Sequence, residues 1–174
     1  WMHRALTDGC YNLAMILLVS LAFSVCPDPD GSLRADALHD FEVAIEEGDR
    51  SRAEVRLLEL DEGLKCGPVA TRRELAEIYL LAGTMKTWTG GAEAALPAFR
   101  AARRLSDGHW PSALGLPLQE VYAAAEPTPA DSGRFDIHPT PLAYRVFVDG
   151  DEIFELPYTT EAGEHLVQMV DQDQ

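Results

Sequence analysis

The stretch YRVFVDGDEIFELP, residues 144–157, decides how the C-terminal part of this chain folds. Apolar and polar residues alternate on both sides of Asp149-Gly150, and a period of two is typical of β-strands. An Asp-Gly pair between two such runs favours a type I′ turn, because both residues tolerate a positive φ. The sequence therefore predicts an antiparallel β-hairpin with its turn at Asp149-Gly150.

Two further runs beside the hairpin, RFDIH at 134–138 and EHLVQMV at 164–170, are also rich in strand-forming residues. The segment 127–133, PTPADSG, has the composition of a linker. We therefore predict a small antiparallel β module over residues 134–174. A few strands of this size need a covering layer, so either a helical body covers one face or the chain in hand ends before the module is complete.

Upstream of the linker the apolar residues have helical spacing, which predicts a helical domain over residues 25–126. Gly48-Asp49 ends one helix and caps the next, and Thr71 with Glu74 forms a capping-box pattern. We expect about five helices in antiparallel hairpins and an α+β fold class. The predicted helices cover 33–47, 50–64, the segment from Thr71 to Gly90-Gly91, 92–105 and 117–125.

Residues 76–108 resemble one tetratricopeptide repeat, in which small residues let two helices approach closely. The matching positions are Tyr79, Gly83, Gly90, Ala95, Phe99, Ala102 and Leu105-Ser106-Asp107. Lys86 stands in place of the family's later tyrosine, and Asp107 in place of its exit proline. A weaker copy lies at 34–66, although Gly48 and Gly90 are 42 residues apart, longer than the family period of about 34. The resemblance implies stacked helical pairs with a concave binding surface; an unrelated four-helix bundle is the alternative.

The order of the β segments resembles the PEGA-type surface module. The matching pieces are Gly133 to Ile137, Val146 to Gly150, Pro157, and Ala162 to Val167. The motif that gives the module its name is absent, since PTPLA stands at 139–143. The resemblance implies an interaction or spacer domain of an exported bacterial protein and not a catalyst.

The N-terminal residues 1–24 have the pattern of an export signal. The apolar run LAMILLVSLAF at 13–23 is too short to span a bilayer, and Arg4 gives a positive start. Small residues at Ala22 and Ser24 favour cleavage after Ser24. We therefore expect export to the periplasm or surface of a bacterium, the alternative being a buried N-terminal helix.

Cys26 and Cys66 are the cysteines that remain after such a cleavage. Cys26 precedes the first predicted helix and Cys66 follows the second, so an antiparallel hairpin brings them close. An oxidising compartment would let them form a disulfide; two free thiols are the alternative. Cys26 also raises the possibility of lipidation, although Val25 departs from the small residue that a lipobox requires. Membrane attachment is expected only through the signal peptide or this lipidation.

The composition and motifs limit the function. A net charge of −15 and a pI near 4.5 argue against nucleic acid as a partner. No metal-ligand spacing, nucleophile elbow, phosphate loop or dinucleotide fingerprint is present. We therefore assign no catalytic, cofactor-binding or metal-binding residues. Tyr79, Trp88 and Trp110 are candidates for an interaction surface, although the tryptophans equally fit core or cap packing.

These observations predict a non-catalytic exported protein that binds a protein partner in the cell envelope. The alternative is an envelope hydrolase or carbohydrate-processing enzyme with a site between helices and sheet. A deep polar pocket joining His109, His138 or His165 to carboxylates would favour that enzyme. A purely structural spacer is the third possibility.

Overall fold

The computed structural model describes residue 28 and residues 30–65, 67–106, 114–126, 132–135, 144–155, 158–161 and 163–171. Their fold is α+β. The helices are α1 (Ser32–Glu47), α2 (Arg50–Leu64), α3 (Arg72–Leu105) and α4 (Leu116–Ala124). The strands are β1 (Ser132–Phe135), β2 (Tyr144–Val148), β3 (Asp151–Ile153), β4 (Tyr158–Glu161) and β5 (Val167–Asp171).

The end of α1 and the starts of α2 and α3 lie where the capping residues predict. Gly48 ends α1 in the left-handed conformation, and the Asp49 side chain accepts a hydrogen bond from the Arg52 amide at 3.1 Å. Thr71 and Glu74 form the predicted capping box at the start of α3. These side chains satisfy backbone donors that a helix terminus otherwise leaves unpaired.

The described residues contain four helices, not the predicted five. The predicted third and fourth helices form the single helix α3, which is interrupted at Gly91 (φ 76°, ψ −175°). The chain folds back at this point and brings the two halves of α3 together. The close approach is seen at Gly83, where an added Cβ would lie 2.4 Å from Cδ1 of Phe99. The absence of a side chain at Gly83 thus lets the two halves of α3 pack closely.

Of three clusters of buried side chains among the described residues, the one with Leu75 and Leu105 packs against Leu64 and Leu166, and the other two hold the helices together. One lies among α1, α2 and the first half of α3 and is centred on Phe41. The other joins the two halves of α3 to α4, with Phe99 and Tyr122 in an edge-to-face contact whose ring centroids are 5.6 Å apart. Burial of this apolar surface supplies the main favourable contribution to folding.

A buried ion pair adds a polar connection between α1 and α3. Arg34 Nε donates to the Glu74 carboxylate at 2.6 Å, and its Nη1 donates to the Pro68 carbonyl at 2.8 Å. Arg34 is only 4% exposed. Glu74 therefore both caps α3 and holds α1 against it.

The strands form two small antiparallel sheets. β2 is central in a three-stranded sheet of order β3-β2-β5, whereas β1 pairs with β4. The predicted hairpin is confirmed, since Val148 pairs with Asp151 and Val146 with Ile153. Strand β4 was not predicted from the sequence.

The alternation predicted for β2 is incomplete. Tyr144 and Arg145 are exposed, but Val146, Phe147 and Val148 are all buried. The end of β2 next to the turn is therefore covered on both faces. This is the end of the hairpin that meets the helices.

Candidate functional site

The turn of the hairpin packs against the helical body. Asp149 and Gly150 both have positive φ, 54° and 86°, as a type I′ turn requires. A Cβ built on Gly150 would lie 2.6 Å from the carbonyl oxygen of Ala70 and 2.8 Å from the amide nitrogen of Arg72. The turn thus touches the backbone where α3 begins, and only glycine fits there.

Two further polar contacts join the sheet to the same part of the helical body. The Gln168 side chain accepts a hydrogen bond from the Ala70 amide at 3.0 Å and donates to the Leu64 carbonyl at 3.1 Å. The Arg72 guanidinium reaches Asp151 at 2.7 Å. The three-stranded sheet is therefore anchored at the end of α2 and the start of α3.

Asp149 is the centre of a buried polar cluster at this junction. Its carboxylate accepts hydrogen bonds from His165 Nδ1 at 2.7 Å, Arg104 Nη2 at 3.1 Å and the Leu166 amide at 3.0 Å. Its own amide donates to the Leu166 carbonyl at 2.8 Å. Asp149 is 5% exposed and His165 is 7% exposed. We call Arg104, Asp149 and His165 the junction cluster.

The junction cluster favours the ionised form of Asp149. Burial alone would raise the pKa of this carboxyl, but the hydrogen bond from His165 and the positive charge of Arg104 outweigh that effect, so the pKa is lowered. An ionised carboxylate only accepts hydrogen bonds. We infer that His165 Nδ1 carries the proton of their shared hydrogen bond.

Arg104 lies at the end of α3 and connects both sides of the junction. In addition to Asp149, its Nη2 donates to the Glu164 carbonyl at 2.6 Å. Its Nε is buried and has no hydrogen-bond partner among the described residues. Arg104 thus fixes the loop before β5 as well as the hairpin turn.

Tyr79 is half-buried near these charges. Burial raises the pKa of its hydroxyl, and the negative charges of Asp149 and Glu164 raise it further. The phenol is therefore neutral over the physiological range. Tyr79 packs against two buried clusters of the helical body, one that includes Phe99 and one that includes Leu75, and so contributes to the core.

A histidine beside a carboxylate is also the arrangement that orients a general base. Catalysis needs that histidine to reach a substrate, whereas His165 is almost fully buried. The Asp149 carboxylate already has three donors. Within the part of the chain that the structure describes, no group of three or more His, Cys, Asp or Glu residues is placed to hold a metal ion. The geometry suits a structural connection between hairpin and helices.

The second candidate is an open groove of about 520 Å³ between α1 and α2. Leu33 and Ala37 line it from α1, and Leu58 and Gly63 line it from α2. Leu33 and Leu58 are exposed, at 56% and 67%. Acidic side chains surround this apolar surface: Asp36, Asp40, Glu59 and Glu62.

Two residues of the predicted interaction surface, Tyr79 and Trp88, lie within the described part of the chain. Tyr79 and Trp88 are separated by nine residues of α3, about two and a half turns, and contact different core clusters. Arg50 lies over the Trp88 ring, 5.8 Å from its centroid. Trp110 lies outside the described residues, as do Cys26 and Cys66 of the predicted disulfide. These assignments stay predictions.

Sequence reasoning did not find the junction cluster or the groove. The sequence assigns Asp149 to a turn and gives His165 only as one of three histidines that a pocket could join to carboxylates, because nothing local shows that Asp149 and His165 meet. Arg104 is 45 residues from Asp149, and its basic side chain in a last helical turn has a local explanation. Leu58 could have indicated the groove, because it is an apolar residue outside the buried face of α2.

Comparison with protein-family models, curated proteins and solved structures gave no match to this chain. Among the described residues, none of the helices combines the length and the apolar character needed to cross a membrane. The predicted signal run at 13–23 lies outside those residues. Function must therefore be argued from the junction cluster and the groove.

Proposed function

We propose that this chain is a non-catalytic exported bacterial protein that binds a protein partner in the cell envelope. Its helical body has repeat-like hairpins that resemble tetratricopeptide repeats, and its β module resembles the PEGA type. The helices provide the binding surface, and the β module is a rigid extension of them. The apolar run at 13–23 directs the chain to the periplasm or cell surface.

The observation that carries this proposal is the groove between α1 and α2. Leu33 and Leu58 come from different helices and border the same groove while remaining largely exposed. Single exposed leucines need no explanation, but apolar side chains that converge on a concave surface are typical of binding sites. The net charge of −15 favours a basic partner.

The junction cluster supports binding over hydrolysis. The rival enzyme needs a polar pocket between helices and sheet, and His165 with Asp149 lies at that place. Both side chains are nearly inaccessible, and the Asp149 carboxylate is engaged by Arg104 and the Leu166 amide. These groups connect two parts of the protein and are not arranged to receive a substrate.

The test is direct binding of the purified full chain to components of an envelope extract from the source bacterium. Proteins retained by the immobilised chain are identified, produced separately and measured by calorimetry. We expect at least one to bind saturably and to be displaced by free chain. If no such protein binds, and the chain instead hydrolyses envelope glycans in a reaction that His165→Asn abolishes, the rival enzyme is established.

A further inference from the structure

The α1–α2 groove is lined by apolar side chains and by acidic side chains, which form its rim. The apolar lining includes Ala37, which is buried, and Leu33 and Leu58, which are largely exposed. The inward face of α2 uses other residues, with Ala53 and Leu60 fully buried in the core. Leu58 therefore does not serve the packing of α1 on α2, and its side chain is available to a partner.

The rim of the groove carries excess negative charge. Asp36 and Asp40 lie on α1, and Glu59 and Glu62 lie on α2. Arg56 is shared between Asp40 and Glu59, Asp40 also pairs with Arg52, and these cations neutralise only part of the negative charge.

Of the other cations near the groove, Arg34 is engaged elsewhere, whereas Lys65 pairs with a rim acid. Arg34 is buried and bonded to Glu74 and to the Pro68 carbonyl, so it does not offset the rim. Lys65 is shared between Glu62 and Asp61. Asp36 is exposed and has no ion pair among the described residues.

The shape of the groove suits a helix. Two antiparallel helices present a groove between their ridges, and a third helix packs there through side chains spaced three and four residues apart. An extended strand would instead need an open sheet edge for its backbone hydrogen bonds. Neither α1 nor α2 offers one.

We propose that this groove binds an amphipathic helix of a partner protein whose polar face is rich in Lys and Arg. The apolar face of that helix contacts Leu33 and Leu58, and its cations pair with Asp36 and Glu62. A second copy of this chain is disfavoured, because each carries a net charge of −15. The inference rests on the proposed function and names the partner class.

The test uses the full chain and a labelled 18-residue peptide of Leu and Lys with an amphipathic helical pattern. Two control peptides have the same composition in scrambled order and the same pattern with Glu in place of Lys. Fluorescence anisotropy is read at low and at physiological salt. We expect the Leu-Lys peptide to bind with a Kd of roughly 10–100 μM, weaker at higher salt, and both controls to bind at least about tenfold more weakly.

Two matched pairs of variants locate the binding. Leu58→Asp changes an exposed leucine of the groove, and Leu116→Asp changes an exposed leucine of α4. Asp36→Lys and Glu93→Lys reverse exposed acids inside and outside the rim. We expect the groove variants to weaken binding by about tenfold or more and the controls by less than about twofold. All four positions are exposed, so circular dichroism should show an unchanged fold.

Several results would overturn the proposal. Equal effects of Leu58→Asp and Leu116→Asp, or equal binding of the scrambled peptide, would mean general attraction to an acidic protein. A dimer that Leu58→Asp dissociates would assign the groove to a second copy. Cross-links from residues 1–24 to the groove that Leu58→Asp removes would assign it to this chain's own N-terminal segment.

The same variants separate this proposal from the proposed function. If an envelope protein binds Leu58→Asp as tightly as the unchanged chain, the groove assignment is wrong and the interaction function stands. If neither the peptide nor any envelope protein binds, both are wrong.

Discussion

Replacing Gly150 with alanine tests whether the hairpin turn is held against the helical body. A Cβ at this position would lie 2.6 Å from the carbonyl oxygen of Ala70 and 2.8 Å from the amide nitrogen of Arg72. Both neighbours are backbone atoms, so they cannot rotate away as the end of a flexible side chain would. The substitution therefore forces either the turn or the start of α3 to move.

Two separate costs contribute to the loss of stability. Alanine at a φ of 86° is in the left-handed region, which costs about 1–2 kcal/mol. Forcing an added methyl group into a packed position typically costs about 1–3 kcal/mol more. We expect Gly150→Ala to lower the free energy of unfolding by about 2–5 kcal/mol, the combined range of both costs.

Gly48→Ala is the matched control. Gly48 also has a left-handed conformation, with φ 71°, but a Cβ there would meet nothing within 4 Å. Its substitution should cost only the conformational part, about 1–2 kcal/mol. The difference between the two variants therefore measures the contact between the turn and α3.

The free energies of unfolding are measured by urea denaturation followed by circular dichroism. Hydrogen exchange at the amides of Asp149 and Leu166 adds a local probe, because both amides are hydrogen-bonded within the junction. Gly150→Ala should accelerate exchange at both, whereas Gly48→Ala should not. If the two variants lose the same stability and exchange alike, the turn is not packed against α3 and our account of the junction is wrong.

Three further substitutions test other contacts by urea denaturation. Asp149→Asn should lower the unfolding free energy by about 2–4 kcal/mol at neutral pH, because the Arg104 charge loses its partner. Folding lowers the pKa of Asp149 below its ordinary value of 3.8, so its carboxylate stabilises the fold above that pH. This stabilisation is lost as the pH falls through the lowered pKa. The stability of Asp149→Asn should therefore decline less in acid than that of the unchanged chain. Gly83→Ala should destabilise by about 1–3 kcal/mol through its clash with Phe99, although alanine has the better helix propensity. Arg34→Met should cost about 2–4 kcal/mol by leaving the Glu74 carboxylate unpaired.

Two of these substitutions have a matched control. For Asp149→Asn the control is Glu152→Gln, which removes a partly exposed carboxylate from its pair with Arg145 and should leave most of the acid decline in place. For Arg34→Met it is Arg52→Met at an exposed ion pair, expected to cost less than about 1 kcal/mol. For Gly83→Ala the sign of the change in unfolding free energy is the test, since a gain in stability would contradict the close approach of the two halves of α3.

The sequence predicted well those features that depend on neighbouring residues. The Asp149-Gly150 pair predicted the turn type, and Gly48-Asp49 and Thr71 predicted helix termini, because backbone conformation and capping act over a few residues. The predicted number of helices, about five, is one too high, because the segments on either side of the non-helical Gly91 run on as the two halves of α3. Strand β4 was missed because its sequence, YTTE, is short, and its pairing with β1 is a tertiary contact that a local pattern does not show.

The sites could not be predicted in the same way. The junction cluster joins residues from the end of α3, the turn and the loop before β5, and no local pattern relates them. A type I′ turn is usually exposed and polar, so Asp149 already had a sufficient local explanation. The prediction of an interaction surface at Tyr79, Trp88 and Trp110 relied on aromatic residues, whereas the groove is bordered by leucines and acids.

The energies of the contacts that a partner must break favour the groove over the hairpin turn. A partner that engaged Asp149 would have to displace Arg104 and His165, and leaving a buried charge unpaired costs about 3–5 kcal/mol. A cationic helix in the groove exchanges only exposed ion pairs such as those of Glu62 and Glu59, which contribute at most about 1 kcal/mol each. It also buries Leu58, and complete burial of a leucine contributes about 1.5–3 kcal/mol. These two balances have opposite signs, so the energies favour the groove, and not the buried turn, as the place where the proposed partner binds.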